Sequence, residues 1–189
     1  RVKLGNAPIP IHRKMADVAS LCALAVSDAG AMHPRCTFEV VTEGQPNAYV
    51  MMPDDVYVEL QEDQALPVVI SPYHIHFYTP EFESLLAWYT ELLNIEVRPR
   101  GSITSTTNVP GMNLSFANSN EPRLATKGRS IDHIGFEVDD LEAFCKLLEA
   151  KGIAFDVAYR DVPAIGLKIA FITDPSGVYI EFTEGFDEY

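Results

Sequence analysis

The chain contains no run of about 18 uninterrupted apolar residues, so its sequence offers no membrane-spanning helix. Cysteine is scarce. Cys22, Cys36 and Cys145 make an odd set of 3 with no CxxC pair, and no disulfide framework follows. No phosphate-binding loop, GxGxxG or GxSxG pattern occurs either. Basic residues are also few: 14 Lys and Arg stand against 27 Asp and Glu, a formal charge of −13. So acidic a chain repels phosphate backbones and anionic membrane surfaces, which argues against nucleic acid and membranes as partners. What remains is ordinary globular material, 47% hydrophobic and 22% charged, which excludes disorder as the main state. At 189 residues the chain is long enough for a hydrophobic core without staples, in one domain or two small ones.

One segment imitates a secretion signal: Arg13-Lys14, then the apolar stretch 18–26, then Ala29-Gly30-Ala31. Asp17 opens that stretch and 12 residues precede the basic pair, so an amphipathic helix is the expected reading. The compartment is left open: a soluble protein, cytoplasmic, or periplasmic if a leader was removed.

An internal repeat organises the chain. Pro53-Asp54-Asp55-Val56-Tyr57-Val58-Glu59-Leu60 matches Pro175-Ser176-Gly177-Val178-Tyr179-Ile180-Glu181-Phe182 at an offset of 122. Residues 108–116 read as a third copy, with Gly111 over Gly177 and Phe116 over Phe182. The starts match too. Tyr73-His74-Ile75-His76-Phe77 lies over Asp132-His133-Ile134-Gly135-Phe136 at an offset of 59. Both starts lead into helical apolar spacing: Phe82, Leu85, Leu86, Tyr89, Leu92, Leu93, and Leu141, Phe144, Leu147, Leu148. Asp140 is the expected N-cap and Gly152 the stop. The first copy is weaker, with Asp17, Val18, Cys22 and Leu24 over Asp140, Leu141, Cys145 and Leu147.

Each copy therefore reads strand, helix, then three strands. In the last copy these are expected over 131–138, 141–151, 155–160, 167–173 and 178–183. The fold class is α+β: repeated βαβββ modules with helices on one face, paired so that curved mixed sheets enclose a cavity. The modules are expected over 1–66, degenerate or unpaired, and over 67–122 and 123–189, which pair into one active-site domain. The segment at 119–130, polar with a Pro and a Gly, reads as a linker.

Strand alternation sorts the polar residues by face. Ile134, Phe136 and Val138 should pack under a helix, which turns His133, Gly135 and Glu137 the other way. Tyr179, Glu181 and Thr183 share that outer face, as do His74, His76 and Tyr78 in the middle copy. A lone strand histidine is ordinarily a hydrogen-bonded or solvated side chain. His74, His133 and Glu181 differ in falling at equivalent repeat positions on one face. Two imidazoles and a carboxylate around one divalent ion (Fe, Mn, Zn, Ni or Co) leave positions open for a substrate.

His74-Ile75-His76-Phe77, residues 131–138 and residues 174–182 together resemble the vicinal oxygen chelate superfamily. That superfamily includes glyoxalase I, bleomycin-resistance proteins, fosfomycin-resistance enzymes and extradiol dioxygenases. The resemblance implies paired βαβββ modules and His74, His133 and Glu181 as ligands of one divalent metal. It implies an enzyme whose metal chelates a small oxygenated substrate, by ring-cleaving dioxygenase or lyase/isomerase chemistry. The position matching Glu181 in the middle copy is Ser115, which departs from a four-ligand site of the glyoxalase I kind. Extradiol dioxygenases also use a further His and a Tyr on the last module's middle strands. Residues 158–171 hold Tyr159 but no His. His76, Glu137 and Tyr179 are the candidates for proton transfer. In the first copy Glu59 matches Glu181, but Pro10 stands where His133 would, with His12 two residues on. Three modules where a cavity needs two leave the first in need of another partner, which a homodimer supplies; a further module upstream of the given residues is the alternative.

The alternative is a metal-free binding protein of the bleomycin-resistance type, whose acidic groove takes a cationic ligand. Arg98, Arg100, Arg160 and Lys168 fall on middle strands, where some could meet an anionic substrate group. Cys22, Cys145, Trp88 and Tyr89 read as core.

Overall fold

The computed structural model describes residues 37–43, 45–51, 56–68 and 70–186. The leading strand and helix expected for the first copy, with Pro10, His12 and Cys22, lie outside the described residues. The chain divides into two compact units, Arg1–Val69 and Ile70–Tyr189.

The described part of the first unit is an antiparallel meander, β1 (Thr37–Glu43), β2 (Gln45–Met51) and β3 (Tyr57–Gln61), in that spatial order. Tyr49 stacks on Tyr57 at 5.2 Å, a cross-strand aromatic pair of the kind that stabilises small sheets. Asn47 Nδ2 donates to Glu59 Oε1 at 3.1 Å, so the Glu59 carboxylate is engaged within the meander.

The second unit repeats one topology twice. Its first half runs β4 (His74–Tyr78), α1 (Phe82–Leu93), β5 (Thr106–Val109) and β6 (Met112–Ala117). Its second half runs β7 (His133–Glu137), α2 (Leu141–Ala150), β8 (Val157–Val162), a 3₁₀ turn, β9 (Leu167–Thr173) and β10 (Tyr179–Glu184). The sheets order as β4-β6-β5 and β7-β10-β9-β8. In each, the first strand lies parallel to the last and the other pairs are antiparallel. In the first half, the bridges Val97–Thr107 and Arg100–Ile103 stand where the second half has β8. The α+β class with mixed sheets is as the sequence led one to expect.

The local chemistry explains the boundaries. Asp140 Oδ1 accepts from the Ala143 N–H at 3.0 Å and opens α2. Gly152 ends it at φ +79°, with the Ile153 N–H returning to the Leu148 carbonyl at 3.0 Å. One detail departs from the expected stripe. Leu147 is half exposed, and Leu141, Cys145 and Leu148 form the buried face. The i, i+4, i+7 rows point at the sheet, and position 147 falls to the side of them. Burial, with the Glu149 charge adding to it, pushes the Cys145 thiol up to about 11, so it serves as a small apolar side chain.

Both halves contribute to one core. Phe77, Tyr89, Leu114 and Phe116 cluster with Leu141, Leu148, Ile172 and Phe182. A buried polar tie within it is a hydrogen bond from Tyr89 Oη to Asp174 Oδ2 at 2.9 Å. The other Asp174 oxygen accepts from the Ser176 and Val178 N–H groups, both at 2.8 Å, and shapes the turn into β10.

Candidate metal site

β7 and β10 run parallel with His133 opposite Tyr179 and Gly135 opposite Glu181. This register puts His133, Tyr179 and Glu181 on one face, away from α2. His133 Nε2 lies 3.0 Å from Glu181 Oε2. The other ring nitrogen, Nδ1, lies 2.8 Å from Asp132 Oδ1. Hydrogen bonds from the Gly128 N–H and then from His133 hold the Asp132 carboxyl below the usual carboxylate range. The Asp132 carboxylate thus engages Nδ1 and leaves Nε2 as the nitrogen turned to Glu181. That arrangement orients an imidazole for coordination through Nε2, as a carboxylate–histidine–metal relay requires.

Around this pair the face is aromatic. Phe171 stacks on Tyr179 at 4.9 Å, and both rings meet the His133 ring edge-on. Tyr179 is buried beneath, with the Lys127 ammonium 4.2 Å from its ring centre. Glu137, one of the residues expected to move protons, is taken up at the strand end. Its carboxylate accepts from the Thr183 hydroxyl and from the Gly185 and Phe186 N–H groups, each at 2.8 Å.

In the first half of the unit, β4 is matched to β6 so that His74 faces Asn113 and His76 faces Ser115. Ser115 thus occupies the position that Glu181 has in β10. Asn113, Ser115 and Thr106 are all buried. Asn113 Nδ2 contacts Thr106 Oγ1 at 2.6 Å and Asn108 Oδ1 at 2.8 Å, and the Ser115 hydroxyl donates to Asn113 Oδ1 at 2.7 Å. Beside this neutral network runs an aromatic row: Tyr73, His74, His76 and Tyr78, with successive rings 5.2, 5.9 and 4.4 Å apart. Tyr78 Oη and His76 Nδ1 are 3.3 Å apart. The guanidinium of Arg100 lies over the Tyr73 ring at 4.7 Å, and Lys168 is paired with Glu184, so both are engaged within the fold.

The structure therefore brings His133, Glu181 and Tyr179 together and keeps His74 with His76 in the other sheet. Among the described residues no group of three His, Cys, Asp or Glu side chains is placed to hold a metal, so His74 does not meet His133 and Glu181 within one chain. Asp132 and Lys127 were missed from sequence. Asp132 had a signal, a carboxylate directly before a strand histidine; Lys127 had none, lying in the segment read as a linker.

The sequence model of the Glyoxalase/Bleomycin resistance protein/Dioxygenase superfamily matches residues 71–182. The chain belongs to this superfamily. The matched region lies inside the second compact unit, and the superfamily includes lyases and dioxygenases. A glyoxalase family protein from Bacillus anthracis shares the fold at a TM-score of 0.50 and 18% identity, over 64% of this chain and 97% of that one. Lactoylglutathione lyase from Agrobacterium tumefaciens aligns at a TM-score of 0.45 and 21% identity, over 63% and 95%. No curated protein matches the sequence. No helix among the described residues is long and apolar enough to cross a membrane.

Proposed function

We propose that this superfamily member is a divalent-metal-dependent enzyme acting on a small oxygenated substrate, with His133 and Glu181 of one copy and His74 of a second copy as ligands. The observation that carries this reading is the converging pair, Nε2 of His133 and Oε2 of Glu181 at 3.0 Å, with Nδ1 already committed to Asp132. A cation at that point takes the place of the proton the pair would otherwise share. Two imidazoles and one carboxylate suit Fe, Mn, Co, Ni or Zn and leave coordination positions open. When bound, such a metal polarises adjacent substrate oxygens. The chain's own residues orient the ligands: Asp132 holds the His133 ring, and the Tyr179–Phe171 stack walls the site.

Two sequence-equivalent half-sites support the second copy. His74 lies on β4 and His133 on β7, each the terminal strand of its sheet. A two-fold partner can lay β4 of one copy beside β7 of the other and so complete a site that neither chain completes alone. With Ser115 where a fourth ligand would stand, the donor set favours open-coordination chemistry, ring-cleaving dioxygenation or lyase/isomerase reactions, over a closed site. His76, on the same strand face as His74, is the candidate for proton transfer.

Metal analysis of protein purified without chelator tests the reading. One metal per chain, lost in His133→Ala and in His74→Ala, with dimers in sedimentation, is the expected result. No metal bound above pH 7 defeats it. Oxygen consumption with catechols then separates dioxygenase from lyase or isomerase chemistry. A protein that binds no metal but takes up cationic ligands in EDTA is instead a binding protein of the bleomycin-resistance type, a role to which its charge of −13 is suited.

A further inference from the structure

The segment 119–130 has no regular secondary structure, yet its second half is firmly built onto the metal half-site. The Thr126 N–H donates to the Gly177 carbonyl at 3.0 Å, and the Thr126 hydroxyl accepts from the Tyr179 N–H at 2.9 Å. The Arg129 N–H closes the turn onto the Thr126 carbonyl at 3.0 Å. The Gly128 N–H donates to the same Asp132 carboxylate that orients His133. The backbone at Ala125 comes so close to Gly177 that a Cβ there would meet Ala125 atoms at 3.2 Å, and Gly177 sits at φ +92°. Lys127 is thus held between two anchored neighbours, unlike a lysine on a free loop.

Its side chain turns to the site. The ammonium lies 4.2 Å from the centre of the Tyr179 ring, on which Phe171 stacks at 4.9 Å, and the His133 ring is 6.3 Å from Tyr179. The ion pairs among the described residues join His133 with Asp132 and Glu181, Lys146 with Glu142, Lys151 with Glu91 and Lys168 with Glu184; Lys127 enters none. In a chain of charge −13, a cation fixed on an aromatic ring beside the candidate metal ligands, acting on Asp132 through space and making no direct ion pair among the described residues, is an uncommon placement.

We infer that Lys127 is an anion-recognition residue of this site, and that the substrate carries a carboxylate or similar anionic group remote from its metal-chelating oxygens. This rests on the proposed metal site and adds a substrate class to it. The ammonium and the His133 ring flank the same Tyr179 ring, 4.2 and 6.3 Å from its centre, so a small ligand chelating at one end can meet Lys127 with the other. A charge-assisted contact of this kind contributes about tenfold in affinity.

The test compares two probes with the same chelating head. Cobalt(II)-loaded full-length protein is titrated calorimetrically with 3,4-dihydroxybenzoate and with 4-methylcatechol, as wild type, Lys127→Met and Lys127→Arg. Expected is a ratio of the two dissociation constants that falls about tenfold in Lys127→Met, is largely kept in Lys127→Arg, and leaves the cobalt(II) and 4-methylcatechol affinities unchanged. A ratio unaltered by Lys127→Met, or no binding of either probe to protein that holds cobalt(II), overturns the inference and leaves the metal site standing. Failure to hold cobalt(II) at all defeats the metal reading instead. In that case 3,4-dihydroxybenzoate is titrated with EDTA present: saturable binding lost in Lys127→Met still supports Lys127, and none overturns it.

Discussion

On the outer face of β7 and β10 stand an imidazole and two carboxylates, partly open to solvent; at equivalent positions of β4 and β6 stand two imidazoles and a buried set of hydroxyls and amides. The sheets share topology and register, so the backbone does not cause the difference. Burial does much of it. The Glu181 side chain keeps 20% of its surface exposed, whereas Ser115 keeps 2%. A lone carboxylate at a place as closed as Ser115 would be costly to desolvate, and a hydroxyl bonded to Asn113 satisfies the same strand position without charge. The comparison teaches that one module carries carboxylates partly open to solvent at positions its twin closes with neutral, hydrogen-bonded side chains beside its histidines.

The largest effect should come from crossing that line. Glu181→Gln is expected to lower affinity for the metal by at least about 100-fold, since it removes the only charged ligand in the proposed set. Ser115→Ala, the same strand position in the other sheet, should leave metal affinity within about twofold. Competition titration with a chromophoric chelator measures both. Equal losses in the two variants would break the asymmetry.

The neutral network should show its worth in stability instead. Asn113→Ala deprives Ser115, Thr106 and Asn108 of their shared partner inside the fold, and should cost about 2–3 kcal/mol in urea unfolding. Asp132→Ala is its counterpart in the charged sheet. Asp132 lies on the surface, so unfolding should change little, while metal affinity falls about 10- to 100-fold as His133 loses its orienting carboxylate. A variant pair that behaved the other way round would show that the two faces have been read in reverse.

Much of this was legible in the sequence. The offset of 59 between His74 and His133 anticipated the doubled topology, and alternation put Glu181 and His133 on one face before their register was known. The Asp140 cap and the Gly152 stop were local signals with local outcomes. The pairing of half-sites was not legible, because a repeat says that two sheets are alike and nothing about which faces meet. The structure has the helices and inner faces of both halves sharing one core, with Tyr89 bonded to Asp174. Glu137 was misleading for a similar reason: alternation gave its face correctly, but its partners, Thr183 and the chain just beyond β10, come from 46 to 49 residues away. Lys127 was invisible because its placement depends on Thr126 meeting Gly177 and Tyr179 across the linker.

The tie between the two halves gives a prediction with a pH signature. Burial, then the neighbouring Asp174 charge and its hydrogen bond, raise the Tyr89 hydroxyl well above its ordinary value near 10. The folded state therefore holds this proton more tightly than the unfolded chain does. The stability it contributes is fully present below pH 10 and declines as pH climbs from there toward the folded-state value. Tyr89→Phe should cost about 1–3 kcal/mol at pH 7 by leaving Asp174 Oδ2 without its hydroxyl donor. Above pH 10 the variant should lose less further stability than wild type. Urea midpoints at pH 7, 9 and 10.5 measure this, and parallel curves for the two proteins would refute it.

The smallest effect is expected where the two faces look most alike, at their exposed aromatics. Tyr78→Phe removes a hydroxyl that makes a long contact, 3.3 Å to His76 Nδ1, at the surface. Stability should move by less than about 0.5 kcal/mol and metal affinity hardly at all, because the stacked ring at 4.4 Å remains to hold His76. If His76 carries the proton in turnover, losing the Tyr78 hydroxyl beside it should shift the acid limb of the kcat profile while leaving KM for substrate unchanged. The equivalent change in the charged sheet, Tyr179→Phe, should leave that limb in place, since Tyr179 acts there as a buried ring under Lys127 and Phe171. A shift from Tyr179→Phe and none from Tyr78→Phe would move the proton-transfer role from the neutral sheet to the charged one.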